Sequence, residues 1–194
     1  MGDSVRLGEA FAFLPLVGVL PLVVWHARRH SHGWTVVALR VAFGCWVAAL
    51  VAVAFFPLPL PPYEHIELGV DYRGWPYPWI SPVPFETIRY SLGQSWGLPA
   101  GRFLVGNVGA FVPLGLLAPL LSTNWRTWPR AIGLGILGSL AVELAQLALS
   151  FAMGFPWRVA DIDDVILNTL GTLIGFGAWW LGSVAVRART APAS

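Results

Sequence analysis

Lysine is missing from this 194-residue chain, cysteine occurs once, and charge of either sign is scarce. Only 11% of residues are charged, where a soluble domain carries about 25%. A water-facing globular surface cannot be built from so few charges. The single cysteine, Cys45, excludes an intramolecular disulfide, and inside an apolar run it reads as a packed thiol. No Cys/His spacing suits a metal, and neither a phosphate-binding Gly-rich loop nor a nucleic-acid signature occurs. No metal, cofactor or nucleic-acid partner is therefore expected. The net charge of +2 points to no polyanion, because the arginines are spread among short segments. The use of arginine alone, beside abundant Ala, Gly and Pro, reads as codon bias.

What is present is apolar: 56% hydrophobic residues, a mean hydropathy of +0.66 and eleven tryptophans suited to interfacial belts. The expected fold class is an all-α polytopic membrane protein. Apolar runs at 10–25, 36–56, 103–121, 131–152 and 164–184 predict five transmembrane helices. The first run is short and contains Pro15 and Pro21. A cleaved signal peptide is disfavoured there, because Asp3 and Glu9 precede the run and His26, Arg28, Arg29 and His30 follow it. Pro57, Pro59, Pro61 and Pro62 close the second run. Residues 57–103 are too polar to cross a bilayer. Within them Phe85, Ile88, Leu92 and Trp96 recur at helical spacing, which predicts a short interfacial amphipathic helix or a lid. The chain then divides into two N-terminal spans (1–60), an extracytoplasmic loop (61–103), a three-helix core (104–186) and a disordered tail (187–194). Arg28, Arg29, Arg40, Arg126, Arg130, Arg187 and Arg189 gather on one side, so the positive-inside rule places the N-terminus outside and the C-terminus in the cytoplasm.

The polar residues inside the apolar runs are the candidate site, since intramembrane charge is costly and usually functional. A helix begun near Asp161 carries Asp161, Asp164, Asn168, Gly171 and Gly175 on one face, opposite Val165, Ile166, Leu167, Leu170 and Leu173. Glu143 and Gln146 share a face of the preceding span, on a stripe with Gly135 and Ser139. Asn107 opens the third span. These groups fall at similar depths in the outer half of the spans, so Asn107, Glu143, Gln146, Asp164 and Asn168 are expected to line one polar pocket. Arg102 and Arg158 would stand at its rim. The plainer alternative makes Asp161 and Asp163 solvated acids that cap a helix N-terminus.

Four blocks carry a family resemblance: Val83-Pro84-Phe85-Glu86-Thr87-Ile88; Gly106-Asn107 through Pro113-Leu114-Gly115; Glu143-Leu144-Ala145-Gln146; and Arg158 through Asp161, Asp164, Asn168 and Gly171. In this order the chain resembles the VanZ-like family of small bacterial membrane proteins. The founding member is associated with low-level resistance to the glycopeptide teicoplanin. The resemblance implies a protein of the bacterial cytoplasmic membrane linked to the envelope or to antibiotic response, and it supplies no reaction. The leading expectation is a non-catalytic protein that binds membrane lipids or a lipid-linked cell-wall precursor. Arg158 and Arg102 would engage phosphate, with Asn107, Glu143, Gln146, Asp161, Asp164 and Asn168 around the ligand. The alternative is an intramembrane enzyme acting on a lipid phosphate or isoprenoid, with Asp161, Asp164 and Glu143 holding Mg²⁺ or moving a proton. Asp161-Ile162-Asp163-Asp164 also fits a terpene-cyclase acid motif, but four letters are weak support. A proton-coupled transporter is a third reading, and the Gly171–Gly175 face would suit a homodimer.

Overall fold

In the computed structural model the described residues are 33–56, 58–59, 78–93 and 98–190, without the side chains of 98–100, 102 and 190. The run at 10–25 and most of the second loop lie outside them. The elements are α1 (Trp34–Phe55), β1 (Ile80–Ser81), α2 (Glu86–Gly93), α3 (Leu98–Leu121), a 3-10 turn (Thr123–Trp125), α4 (Trp128–Met153), β2 (Ala160–Asp161) and α5 (Ile162–Thr190). Among the described residues four helical stretches are long and apolar enough to cross a membrane: Trp34–Phe55, Phe103–Leu121, Trp128–Met153 and Ile162–Arg189. The chain is an all-α polytopic membrane protein.

Local chemistry sets the ends of these helices. α1 stops where Pro57 removes an amide, and Phe56 before it is extended at φ −120 and ψ 150. α4 ends at Gly154, whose φ of +80 suits glycine, and whose N–H donates to Ser150 O and Phe151 O. α5 has Asp163 and Asp164 in its first turn and Arg187 and Arg189 in its last, so charge complements the helix dipole at both ends. Residues 187–190, expected in the tail, continue this helix.

Side-chain burial on α4 is inverted relative to a soluble helix. Ser139, Glu143, Gln146 and Ser150 are buried, at steps of four, three and four residues. Leu137, Leu144 and Phe151, seven apart, are 68%, 62% and 60% exposed. An apolar stripe facing outward with a polar stripe inside suits a helix surrounded by lipid.

The described residues fall into two compact units. One combines Met1–Pro82 with Leu140–Ile162, the other Val83–Ser139 with Asp163–Ser194. In the first, β1 and β2 pair in parallel, Ile80 with Ala160 and Ser81 with Asp161. Trp79 stacks on Phe151 with ring centroids 4.7 Å apart.

In the second unit α3 and α5 meet backbone to backbone. A methyl group on Gly171 would overlap the Val108 carbonyl, one on Gly175 the Val112 carbonyl, and one on Gly115 the Thr172 carbonyl. With no water to expel, close van der Waals approach of small residues is what joins helices in a membrane. The Gly171–Gly175 face considered for a homodimer is thus filled by α3 of the same chain. Replacing Gly115, Gly171 or Gly175 by Ala is expected to lower stability by about 1–3 kcal/mol through overpacking. Gly106→Ala in α3, where a methyl meets nothing within 4 Å, is the control. Thermal unfolding in detergent checks this, and equal melting temperatures for all four variants would contradict the packing.

Candidate functional site

In the first unit the polar side chains of α4 hold backbone. Gln146 Nε2 donates to Ala54 O at 2.9 Å. That carbonyl lies in the last turn of α1, where no intrahelical donor remains. Ser150 Oγ lies 3.2 Å from both the amide nitrogen and the carbonyl oxygen of Arg158, accepting from one and donating to the other. Glu143 Oε2 accepts the Asp161 amide at 3.1 Å. Ala160 donates to Trp79 O at 3.1 Å. The connection from α4 to α5 is thereby fixed at Arg158, Ala160 and Asp161. On this connection Arg158 is exposed, and its guanidinium lies over the Trp157 ring at 5.2 Å from the centroid.

In the second unit the leading group is Asp163, which is fully buried. α2 starts after Phe85, a residue without a capping side chain and with a φ of +65, which costs a bulky residue roughly 1–2 kcal/mol. Asp163 Oδ1 accepts the Phe85 amide and Oδ2 the Ile88 amide, the latter at 3.0 Å. One carboxyl group from α5 therefore does for α2 what a capping box does with two local side chains. Asn107 Nδ2 on α3 donates to Asp164 Oδ1 on α5 at 2.6 Å. Asn168 Nδ2 on α5 donates to Ser139 Oγ on α4 at 2.8 Å, and Thr172 Oγ1 returns a bond to Asn168 O at 3.0 Å. The second unit is thus tied by one polar side chain of α5 to each of α2, α3 and α4.

The sequence profile described as VanZ/LLP1 matches residues 43–183, well over half of the chain. The chain belongs to the VanZ/LLP1 family. No curated protein and no solved structure matches it.

The VanZ-type motif residues therefore lie in both units. Glu143, Gln146, Arg158 and Asp161 belong to the first, and Asn107, Asp164 and Asn168 to the second. Arg102 lies in α3, with its side chain outside the described residues. Asp161 differs from its expected place on the α5 face. It is extended in β2, because pairing with Ser81 and the bond to Glu143 draw its backbone straight, and the helix begins one residue later. Nor are Asp161 and Asp163 solvated acids, for they are 8% and 0% exposed. Asp163 caps α2 instead of its own helix. Asn107 stands about 2.5 turns into α3, not in its first turn, because that helix starts at Leu98. Trp96, expected on the amphipathic helix, lies outside the described residues, and α2 ends at Gly93.

Sequence reasoning missed Ser150 and Thr172, placed Ser139 on the stripe only as a small residue, and read Asp163 as a solvated cap. Ser150 was within reach, since it continues the stripe of Glu143 and Gln146 at helical steps. Among the described residues no group of three or more His, Cys, Asp or Glu could hold a metal ion.

The geometry separates acceptor from charge at Glu143. Glu143→Gln keeps an oxygen for the Asp161 amide and is expected to fold with a near-native melting temperature. Glu143→Leu leaves that amide unpaired, at a cost of about 1–3 kcal/mol. Thermal unfolding of both variants checks this, and equal losses would show that the hydrogen bond is not what Glu143 supplies.

Proposed function

We propose that this chain is a non-catalytic binding protein of the bacterial cytoplasmic membrane. Its ligand is the phosphate of an anionic lipid or a lipid-linked cell-wall precursor, and Arg158 is the residue that engages it. The observation that carries the reading is the setting of Arg158: backbone pinned on both sides by Ser150, side chain exposed and laid over Trp157. A guanidinium held so gives phosphate a preorganised two-pronged donor at low entropic cost. Family membership supports a place in the envelope. Arg102 is the second candidate for the phosphate. Glu143, Gln146 and Asp161 hold the Arg158 connection, while Asn107, Asp164 and Asn168 hold the helices of the second unit. Glu143, Asp163 and Asp164 each accept backbone or side-chain donors and so hold the fold. Teicoplanin-type resistance would follow if occupancy changed the amount of precursor presented to the antibiotic.

The orientation belongs to the same proposal: Arg126, Arg130, Arg187 and Arg189 in the cytoplasm, the α4–α5 connection outside. In a Cys45→Ala background, Pro156→Cys is expected to react with an impermeant maleimide in intact cells, and Thr127→Cys is not. Gly154 is avoided as a labelling site because its φ is positive. The reverse pattern would invert the orientation.

The binding test is native mass spectrometry of the purified chain with its co-purifying lipids. A phospholipid or isoprenoid phosphate is expected on the wild type and at least tenfold less on Arg158→Gln, with an unchanged melting temperature. Equal retention by both would remove Arg158 from the site.

A further inference from the structure

The end of the second unit remote from Asp163 and Asp164 carries a second concentration of arginine and aromatic residues that the proposed function does not use. No acidic residue occurs between Glu86 and Glu143, or anywhere after Asp164. Arg126, Arg130, Arg187 and Arg189 are all exposed. Arg126 is held in place. Its Nε donates to Pro119 O at 3.0 Å, a carbonyl in the last turn of α3, and its guanidinium lies 5.8 Å from the Trp179 ring centroid. Trp179 is fixed in turn by Phe176, and Phe176 by Trp128, at centroid distances of 5.3 and 4.7 Å. Among the described residues the two terminal nitrogens of Arg126 meet no acceptor. Arg130 sits on the first turn of α4 and spends one Nη1 bond on Asn124 O at 2.8 Å. Trp125, Trp128 and Trp180 are 37%, 45% and 44% exposed.

We infer that Arg126 and Arg130, on the wall formed by Trp128 and Trp179, form a binding site for the headgroup of an anionic phospholipid. Three observations select this occupant. The patch lies at the ends of three helices that cross the membrane, so headgroups are the anions at its level. Partly exposed tryptophans flank it, and such rings settle at the headgroup boundary. The guanidinium of Arg126 is held at Nε by Pro119 and against Trp179, which leaves its two terminal nitrogens for the pair of phosphate oxygens that an arginine fork takes. Arg187 and Arg189 add field from the last turns of α5, and arginine clusters beside a membrane helix attract anionic lipid. The inference does not rest on Arg158.

The experiment uses the full chain carrying Arg102→Gln and Arg158→Gln, so that neither candidate of the first site contributes. Lipid-depleted protein is titrated with phosphatidylglycerol or phosphatidylcholine and read by native mass spectrometry. Phosphatidylglycerol is expected to bind at least tenfold more tightly than the zwitterionic lipid. Arg126→Gln with Arg130→Gln is expected to abolish that preference, and Arg89→Gln on α2 to leave it unchanged. Should the double variant not fold, Arg130→Gln alone, which loses only a bond to an exposed turn, carries the test with an expected loss of about threefold. Inorganic phosphate at millimolar concentration is expected not to displace the lipid. Equal binding of the two lipids, a preference that survives the arginine changes, or displacement by inorganic phosphate would each overturn the site.

Discussion

One carboxyl group, that of Asp163, accepts two amides from a helix begun 77 residues earlier in the chain. Without it α2 would begin on a strained phenylalanine with two amide hydrogens unpaired. In apolar surroundings water cannot take their place, and each orphan costs free energy on the order of 1–3 kcal/mol. The same constraint accounts for several other polar side chains. Gln146 closes a carbonyl at the end of α1, Ser150 closes both polar groups of Arg158, Glu143 closes the Asp161 amide, and Arg126 closes a carbonyl at the end of α3. Among the motif residues Glu143, Gln146 and Asp163 serve backbone that regular structure leaves open, whereas Asn107, Asp164 and Asn168 join helices through side-chain pairs.

Between these fixed points, small residues do the joining. Gly115, Gly171 and Gly175 let α3 and α5 approach until backbone meets backbone. That proximity is what puts Asn107 within 2.6 Å of Asp164. Gly135 stands against Thr169 and Thr172, beside the bond from Asn168 to Ser139. Close packing and polar pairing are therefore one arrangement: the first sets the distance and the second fixes the register.

The spans after residue 33 were legible because long apolar runs bounded by Pro, Gly and Arg leave little choice of boundary. α1, α4 and α5 each differ from expectation by a few residues, and α3 reaches back to Leu98. The stripe of Glu143 and Gln146 was legible from helical period alone. The role of Asp163 was not, since its partners are backbone amides with no sequence signature, at a helix whose own cap residue is a phenylalanine. The extended state of Asp161 was also hidden, because it depends on pairing with Ser81. Arg158 was legible as a charge at a span boundary, but the bonds that fix its backbone come from Ser150, whose place on the stripe the period gives and whose partner it does not.

For function, the division of labour matters more than the number of polar residues. Glu143 and Asp163 hold backbone, whereas the pinned and exposed Arg158 guanidinium has no such task among the described residues. The most direct test of this account is hydrogen–deuterium exchange over residues 83–93 in the wild type, Asp163→Asn and Asp163→Ala. The account predicts slow exchange at Phe85 and Ile88 in the wild type. One of those amides should be released in Asp163→Asn, which keeps a single acceptor oxygen, and both in Asp163→Ala, with α2 fraying from its first turn. Unchanged protection in Asp163→Ala would contradict the claim that Asp163 satisfies the open amides of α2.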